Sequence, residues 1–159
     1  MNLTLVCVGK VKEAYLRDGI AEYRKRLTRY ADVRIEEVDD DRTEERLSDA
    51  EKRKILDAEA ARILKKVPDG AYLVTLEIGG KMFSSETLAS MLGGYMLNGQ
   101  ADVCLVSGGS LGLSPLVTSR AMEHWSFSKL TFPHQLMRLI LLEQLYRGFR
   151  ILKGEPYHK

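Results

Sequence analysis

Four short segments, "LTLVCV" (3–8), "VRIEEV" (33–38), "AYLVTLEI" (71–78) and "DVCLVSGG" (102–109), are continuously apolar or alternate apolar with polar. Between them, apolar residues recur at three- and four-residue intervals, as in Leu16, Ile20, Tyr23 and Leu27. Runs of the first kind become strands and stretches of the second kind become helices that cover them. Strands that alternate with helices are joined through crossovers, which makes neighbouring strands parallel. The pattern therefore predicts an α/β fold with a mostly parallel sheet flanked by helices. Helices are expected over 12–30, from a cap at Ser48 or Asp49 to Lys66 ahead of Pro68, after Ser84 or Ser85, briefly over 114–122, and over 134–152. "GGK" (79–81) reads as a turn after the third run, and "WSFSKLTF" (125–132) as a brief segment of mixed character.

The 159 residues suit one domain, 1–159, with a sizeable core, since 45% of them are hydrophobic. No apolar run approaches the ~20 residues of a membrane span. "MNLTLVCVGK" lacks the basic lead-in of a secretory signal, so a soluble cytoplasmic protein is the expectation. Cys7 and Cys104 each sit in an apolar run without a CxxC pattern, which predicts buried, inert thiols. The net charge of +2 conceals a polarised chain. Residues 1–35 hold eight Lys/Arg against four Asp/Glu, residues 36–51 hold nine acids against two bases, and residues 120–159 hold seven bases against three acids. Solvated faces account for such blocks, and so does an anionic partner such as RNA.

In open α/β sheets ligands bind beyond the carboxyl ends of strands, which directs attention to "TLEIGGK" and "SGGSLGLS". "SGGSLG" (107–112) is neither GxGxxG nor a phosphate-cradling GK[ST] loop. It is either a tight turn needing positive φ or a backbone cradle for a flat or anionic ligand. "FSKLTFPHQ" (127–135) leads into the last helix, with Pro133 suited to its first turn. Such a loop can read an adenine edge with its backbone, or merely lead the chain into the helix. Leu136, Leu139, Ile140, Leu142, Leu145, Tyr146, Phe149 and Leu152 spread round more than half of that helix, so it is central in the domain or covered by a second subunit. Glu143 and Arg147 are spaced as a surface ion pair, or as a phosphate contact oriented by its carboxylate. Gly154 and Pro156 end the helix, leaving "YHK". There Tyr157 can stack on a base, His158 can exchange protons near neutrality, and Lys159 can meet a phosphate.

With these residues in view, "TFPHQLMRLILLEQLYRGFRILKGEPYHK" resembles the closing segment of the RlmH family. "LVCVGKVKE", "TLEIGGKMFSSE" and "SGGSLGLS" extend the resemblance over the whole chain, in order. That family comprises pseudouridine methyltransferases of the SPOUT superfamily, acting on the large ribosomal subunit. The resemblance implies a C-terminal trefoil knot, an obligate homodimer and S-adenosylmethionine as cofactor, with no metal. It also implies methylation of N3 of a pseudouridine in 23S ribosomal RNA on the assembled ribosome. Apolar spacing says nothing of a knot, and threaded chains are rare. By position, the resemblance assigns cofactor contacts to Leu76, Gly108, Phe127, Ser128, Lys129, Leu130, Thr131 and Phe132. The catalytic, substrate-side positions are Glu143, Arg147, Tyr157, His158 and Lys159, with one subunit's tail approaching its partner's cofactor. Ser107 departs from the branched apolar residue expected before the glycine pair.

These assignments predict direct transfer of a sulfonium methyl to N3, with His158 as a candidate base and Arg147 and Lys159 favouring the ionised nucleobase. A non-catalytic α/β RNA-binding module on ribosomes is the alternative; it explains the basic ends and the tail but leaves the cofactor loop without a purpose. A nucleotide- or flavin-binding doubly wound domain lacks its phosphate loop.

Overall fold

The computed structural model describes residues 1–41 and 44–157, so part of the acidic loop after the second strand lies outside the described residues. The elements alternate as the spacing predicts: β1 (Asn2–Val8), α1 (Ala14–Leu27), β2 (Asp32–Val38), α2 (Asp49–Lys66), β3 (Tyr72–Lys81), α3 (Ser85–Leu97), β4 (Asp102–Ser107), α4 (Pro115–Thr118), β5 (Glu123–Trp125) and α5 (His134–Leu152). The described strands form one sheet in the order β2-β1-β4-β3-β5, and every pairing is parallel. No helix among the described residues is long and apolar enough to cross a membrane.

Burial on both faces explains the apolar runs of β1 and β4. Leu3, Leu5 and Cys7 share one core with Val103, Leu105 and residues of α1, α3 and α5. Val6 and Val8 share a second core with Cys104, Val106 and residues of α2 and α4. The sheet is thus a middle layer, with three helices on one side and two on the other. Both cysteines are buried as expected; loss of solvent raises the Cys7 thiol to about 11 and the Cys104 thiol to about 12.

Local chemistry sets the boundaries. Ser48 and Glu51 form a reciprocal capping box at the start of α2. Ser84, not Ser85, caps α3 by accepting from the Thr87 amide; Ser85 instead donates to Gln144 on α5. α5 ends in a Schellman motif, with Gly154 at φ +67°, the Gly154 amide donating to Ile151 and the Glu155 amide donating to Arg150.

Three expectations need correction. "GGK" is not a turn: β3 runs through it to Lys81, and a side chain on Gly80 would fall 2.7 Å from the Trp125 backbone. Glycine lets β3 lie against β5, whose register jumps so that Trp125 pairs with both Leu76 and Lys81. Residues 123–125 are a strand that apolar spacing did not reveal, because three residues are too few for a period to register. Pro133 is the N-cap of α5 rather than a residue of its first turn.

The two-sided apolar pattern of α5 is answered largely within the chain. α5 meets α1 where Leu139 packs over Gly19, and meets α3 where Gly148 faces Leu88 and Leu92. A side chain at Gly148 would fall 2.9 Å from Leu92, so glycine sets that close approach. Leu136, Ile140 and Tyr146 remain half-buried.

At the far edge of the sheet, the Glu123 carboxylate accepts from Tyr72 Oη at 2.8 Å, Tyr95 Oη at 2.8 Å and Trp125 Nε1 at 2.7 Å. Burial, and next the Glu123 contact, raise Tyr72 to about 12 and Tyr95 further still. Unfolded phenols lose their protons near pH 10, about two units before the folded Tyr72 does. Above that pH the unfolded chain binds fewer protons than the folded one, so this contribution is complete below pH ~10 and falls away through about pH 12. Chemical denaturation from pH 9 to 12 should show that decline. Tyr72→Phe should make it shallower by one tyrosine's share, since Tyr95, Tyr157, Cys7 and Cys104 still contribute a decline of the same sign, and an unchanged slope would contradict the assignment.

Candidate active site

The carboxyl ends of β3 and β4, the segment after β5 and the start of α5 enclose a cavity of about 740 Å³. They meet there because the sheet order sets β3 between β4 and β5, although 40 or more residues separate the β3 end from α5. Such a position, beyond parallel strand ends, is where α/β sheets bind ligands.

The β4 end is a turn folded on itself. Gly109 and Gly112 form an isolated bridge, with the Gly112 amide donating to Gly109 at 3.1 Å. Only Gly112 in this turn has positive φ, at +83°. Gly108 is needed for another reason: a Cβ there would fall 2.3 Å from the Gly112 carbonyl oxygen. The turn presents bare backbone to the cavity, which is what a cradle for a flat ligand requires. Ser107, the departure from the resemblance, is buried and lines the same cavity.

The loop after β5 is held by its own polar groups and by aromatic packing. The Ser126 amide donates to Lys81 at 2.9 Å, and the Ser126 hydroxyl lies 2.9 Å from the Ile78 carbonyl and 3.1 Å from that of Ser128. The Leu130 amide donates to Ser128 Oγ at 3.0 Å. Phe83 meets Trp125 and Phe127 edge-on, at 5.2 Å and 6.3 Å between ring centres. Two apolar side chains at the cavity stay exposed, Leu130 at 71% and Ile78 at 55%. Apolar surface of this kind suits a ligand or partner laid against it.

Leu76, Gly108, Phe127, Ser128, Leu130, Thr131 and Phe132 all line this cavity. Lys129 is exposed and is not part of its wall. Sequence reasoning missed Glu77, Trp125, His134 and Met137, which line it too. The signal for Trp125 was present in a single tryptophan followed by the serine-rich loop; Glu77 carried none, since a lone acid near a strand end is ordinary.

A second cluster forms on α5 and the segment after it. The Arg147 guanidinium donates to Glu143 Oε1 through Nε at 3.0 Å and through a terminal nitrogen at 2.6 Å. Its centre lies 4.7 Å from the Tyr157 ring. Tyr157 Oη lies 3.2 Å from both Glu143 Oε1 and Tyr23 Oη. Burial first, then these contacts, raise the Tyr157 phenol well above its ordinary value, so it stays a neutral donor at physiological pH. The preceding residues are anchored as well: Tyr30 Oη donates to Glu155 at 2.6 Å, Arg150 pairs with Glu155, and Arg150 also donates to the Pro156 carbonyl at 3.0 Å. Through Tyr157, then, the segment is docked rather than frayed. His158 and Lys159 lie outside the described residues.

The cavity and the cluster do not coincide. α5 touches the cavity at His134 and Met137 and then runs away from it. At 1.5 Å per residue, Glu143 is about 9 Å and Arg147 about 15 Å further along the axis than Met137. One chain alone holds the two groups apart.

A family model described as "Predicted SPOUT methyltransferase" matches residues 1–158. The chain is 57% identical over 159 residues to "Ribosomal RNA large subunit methyltransferase H" of Listeria monocytogenes serovar 1/2a, and 53% identical to the protein of that description from Alkaliphilus oremlandii. Each alignment covers 100% of both chains. Among solved structures, "a probable methylase family protein from Haemophilus influenzae Rd KW20" superposes with a TM-score of 0.54 at 12% identity, over 99% of this chain and 70% of that one. That likeness concerns the fold alone.

Proposed function

The chain belongs to the SPOUT methyltransferase family, and from that premise we propose that it methylates N3 of a pseudouridine in 23S ribosomal RNA on the assembled ribosome. The observation that carries this reading is the cavity itself. It gathers, from three distant segments, seven of the eight residues assigned by position to the cofactor.

The cavity fits S-adenosylmethionine in size and chemistry. About 740 Å³ lies within the range of small-molecule sites. The Gly108 turn offers backbone where any side chain would collide, and the aromatic and aliphatic walls suit a purine ring. When bound there, the cofactor supplies an activated methyl group on its sulfonium. The chain's residues do the rest. Leu76 and the 127–132 loop orient the ligand and exclude water. Arg147, aimed by Glu143, supplies a cation that favours the N3 anion or a neighbouring phosphate. His158 is the candidate acceptor of the N3 proton, which must leave as N3 takes the methyl. Lys159 adds a second cation.

The roughly 15 Å of helix between Met137 and Arg147 supports a homodimer, in which the tail of one copy completes the cavity of the other. The same reading includes a single domain over 1–159, a cytoplasmic setting and a C-terminal trefoil knot.

Labelled S-adenosylmethionine should transfer its methyl to ribosomes lacking the modification, at N3 of one pseudouridine, and not to protein-free ribosomal RNA. Equal labelling of free RNA would remove the requirement for the ribosome. Failure to bind the cofactor in calorimetry would leave the RNA-binding module as the better reading.

A further inference from the structure

Among the described residues that line the cavity there is one carboxylate, Glu77, and no lysine or arginine. Glu77 follows Leu76 in the part of β3 where pairing with β5 shifts register, and it lines the cavity there. Its side chain is tethered. The Thr75 hydroxyl, wholly buried, donates to Glu77 Oε2 at 2.6 Å. His124 Nδ1 meets the same oxygen and lies 3.0 Å from Thr75 Oγ1. A carboxylate only accepts, so Nδ1 carries the hydrogen of that contact. The other oxygen, Oε1, takes no hydrogen bond from any described residue.

The Glu77 side chain is 29% exposed, so its free Oε1 is open to water or to a ligand in the cavity. The His124 side chain is 45% exposed, so water screens much of what it can offer. A ligand bearing positive charge would complete the pairing at Oε1. Taking S-adenosylmethionine as the donor, as proposed above, we infer that Glu77 is the residue that separates the cationic cofactor from its spent form. Both forms carry an α-ammonium and an α-carboxylate; the sulfonium adds a further positive charge, which the thioether of S-adenosylhomocysteine, left after transfer, lacks. Loss of the methyl group therefore weakens the ligand's hold on the cavity and favours its release. Thr75 and His124 are positioning residues that keep the carboxylate at the wall.

The test is calorimetric, on the full-length protein, with S-adenosylmethionine and S-adenosylhomocysteine as paired ligands. Glu77→Gln keeps the shape and removes the charge. It should lower the affinity ratio of the first ligand over the second by roughly five- to tenfold, the scale of one screened charge a few ångströms away. S-adenosylhomocysteine should bind as in the wild type, which also shows that the variant is folded. Glu77→Asp keeps the charge and should retain most of the discrimination. Sinefungin, with a protonated amine in place of the sulfonium, should follow S-adenosylmethionine. Equal losses for the two ligands would mean that Glu77 meets a part they share, such as the α-ammonium, and the inference would fall. An unchanged ratio would overturn it as well. If the wild type binds neither ligand, the donor assignment itself fails, and this inference with it.

Discussion

Removal of Tyr157, His158 and Lys159 is expected to abolish methyl transfer while cofactor affinity stays within a factor of two. The cavity owes nothing to Tyr157, which packs against Tyr23, Tyr146 and Arg147 well along α5 from the cavity wall. The stability cost should be modest, about 1–3 kcal/mol for one edge-on ring contact, one cation–π contact and the hydroxyl's contacts to Glu143 and Tyr23. Tyr30, Glu155 and Arg150 still anchor the segment up to Pro156. Single-turnover transfer on ribosomes is the measurement, with calorimetry as the control. A truncated protein that methylates at the normal rate would remove the tail from the mechanism. Loss of cofactor binding together with activity would mean that the cavity, not the chemistry, had been damaged. Mixed dimers sharpen the test: a truncated chain paired with one whose cavity is blocked should regain activity only if sites form across the interface.

The largest effect on stability is expected at Glu123, on the edge strand beside the cavity. Its carboxylate receives three donors, two of them from side chains almost fully buried, Tyr95 at 5% and Trp125 at 1% exposure. Glu123→Ala leaves all three without a partner, and hydrogen bonds to a charged acceptor are the costlier kind to lose. The expected loss is roughly 3–5 kcal/mol. For a chain of this size that lowers the melting temperature by about 10 °C at constant protein concentration. Glu123→Gln should cost less than half as much, since the amide oxygen still accepts and a phenol can turn to accept from the amide nitrogen. Equal melting temperatures for wild type and Glu123→Ala would show that water serves these donors as well as the carboxylate does. Because β5 pairs with β3 beside the cavity, a weakened cofactor affinity should accompany the destabilisation.

The effect at Glu123 could not have been read from residue spacing. Glu123 meets Tyr72 across 51 positions and Tyr95 across 28, and nothing in "MEHW" announces an acceptor shared by two tyrosines and an indole. Glu77 was passed over for the same reason, because its tethers come from its own strand and from β5. The glycines show the limit from the other side. Gly154 at the end of α5 was legible, because a helix stop is a local event. The reason for Gly108, a carbonyl 2.3 Å from where its side chain would be, exists only once the turn has closed.

The sequence by itself determined the class of fold. Continuous apolar runs must be covered on both faces, and helices between them supply the cover and make the strands parallel. It also narrowed the caps to Ser48 or Asp49 and to Ser84 or Ser85, and placed the stop at Gly154, since each depends on groups within a few residues. Only the tertiary structure decided the sheet order, and with it that the ends of β3, β4 and β5 enclose one cavity. It alone decided that Tyr157, beyond the end of α5, joins the Glu143–Arg147 pair on that helix at a distance from the cavity. Strand order and helix direction are set by contacts between residues far apart in the chain, and no local period encodes them.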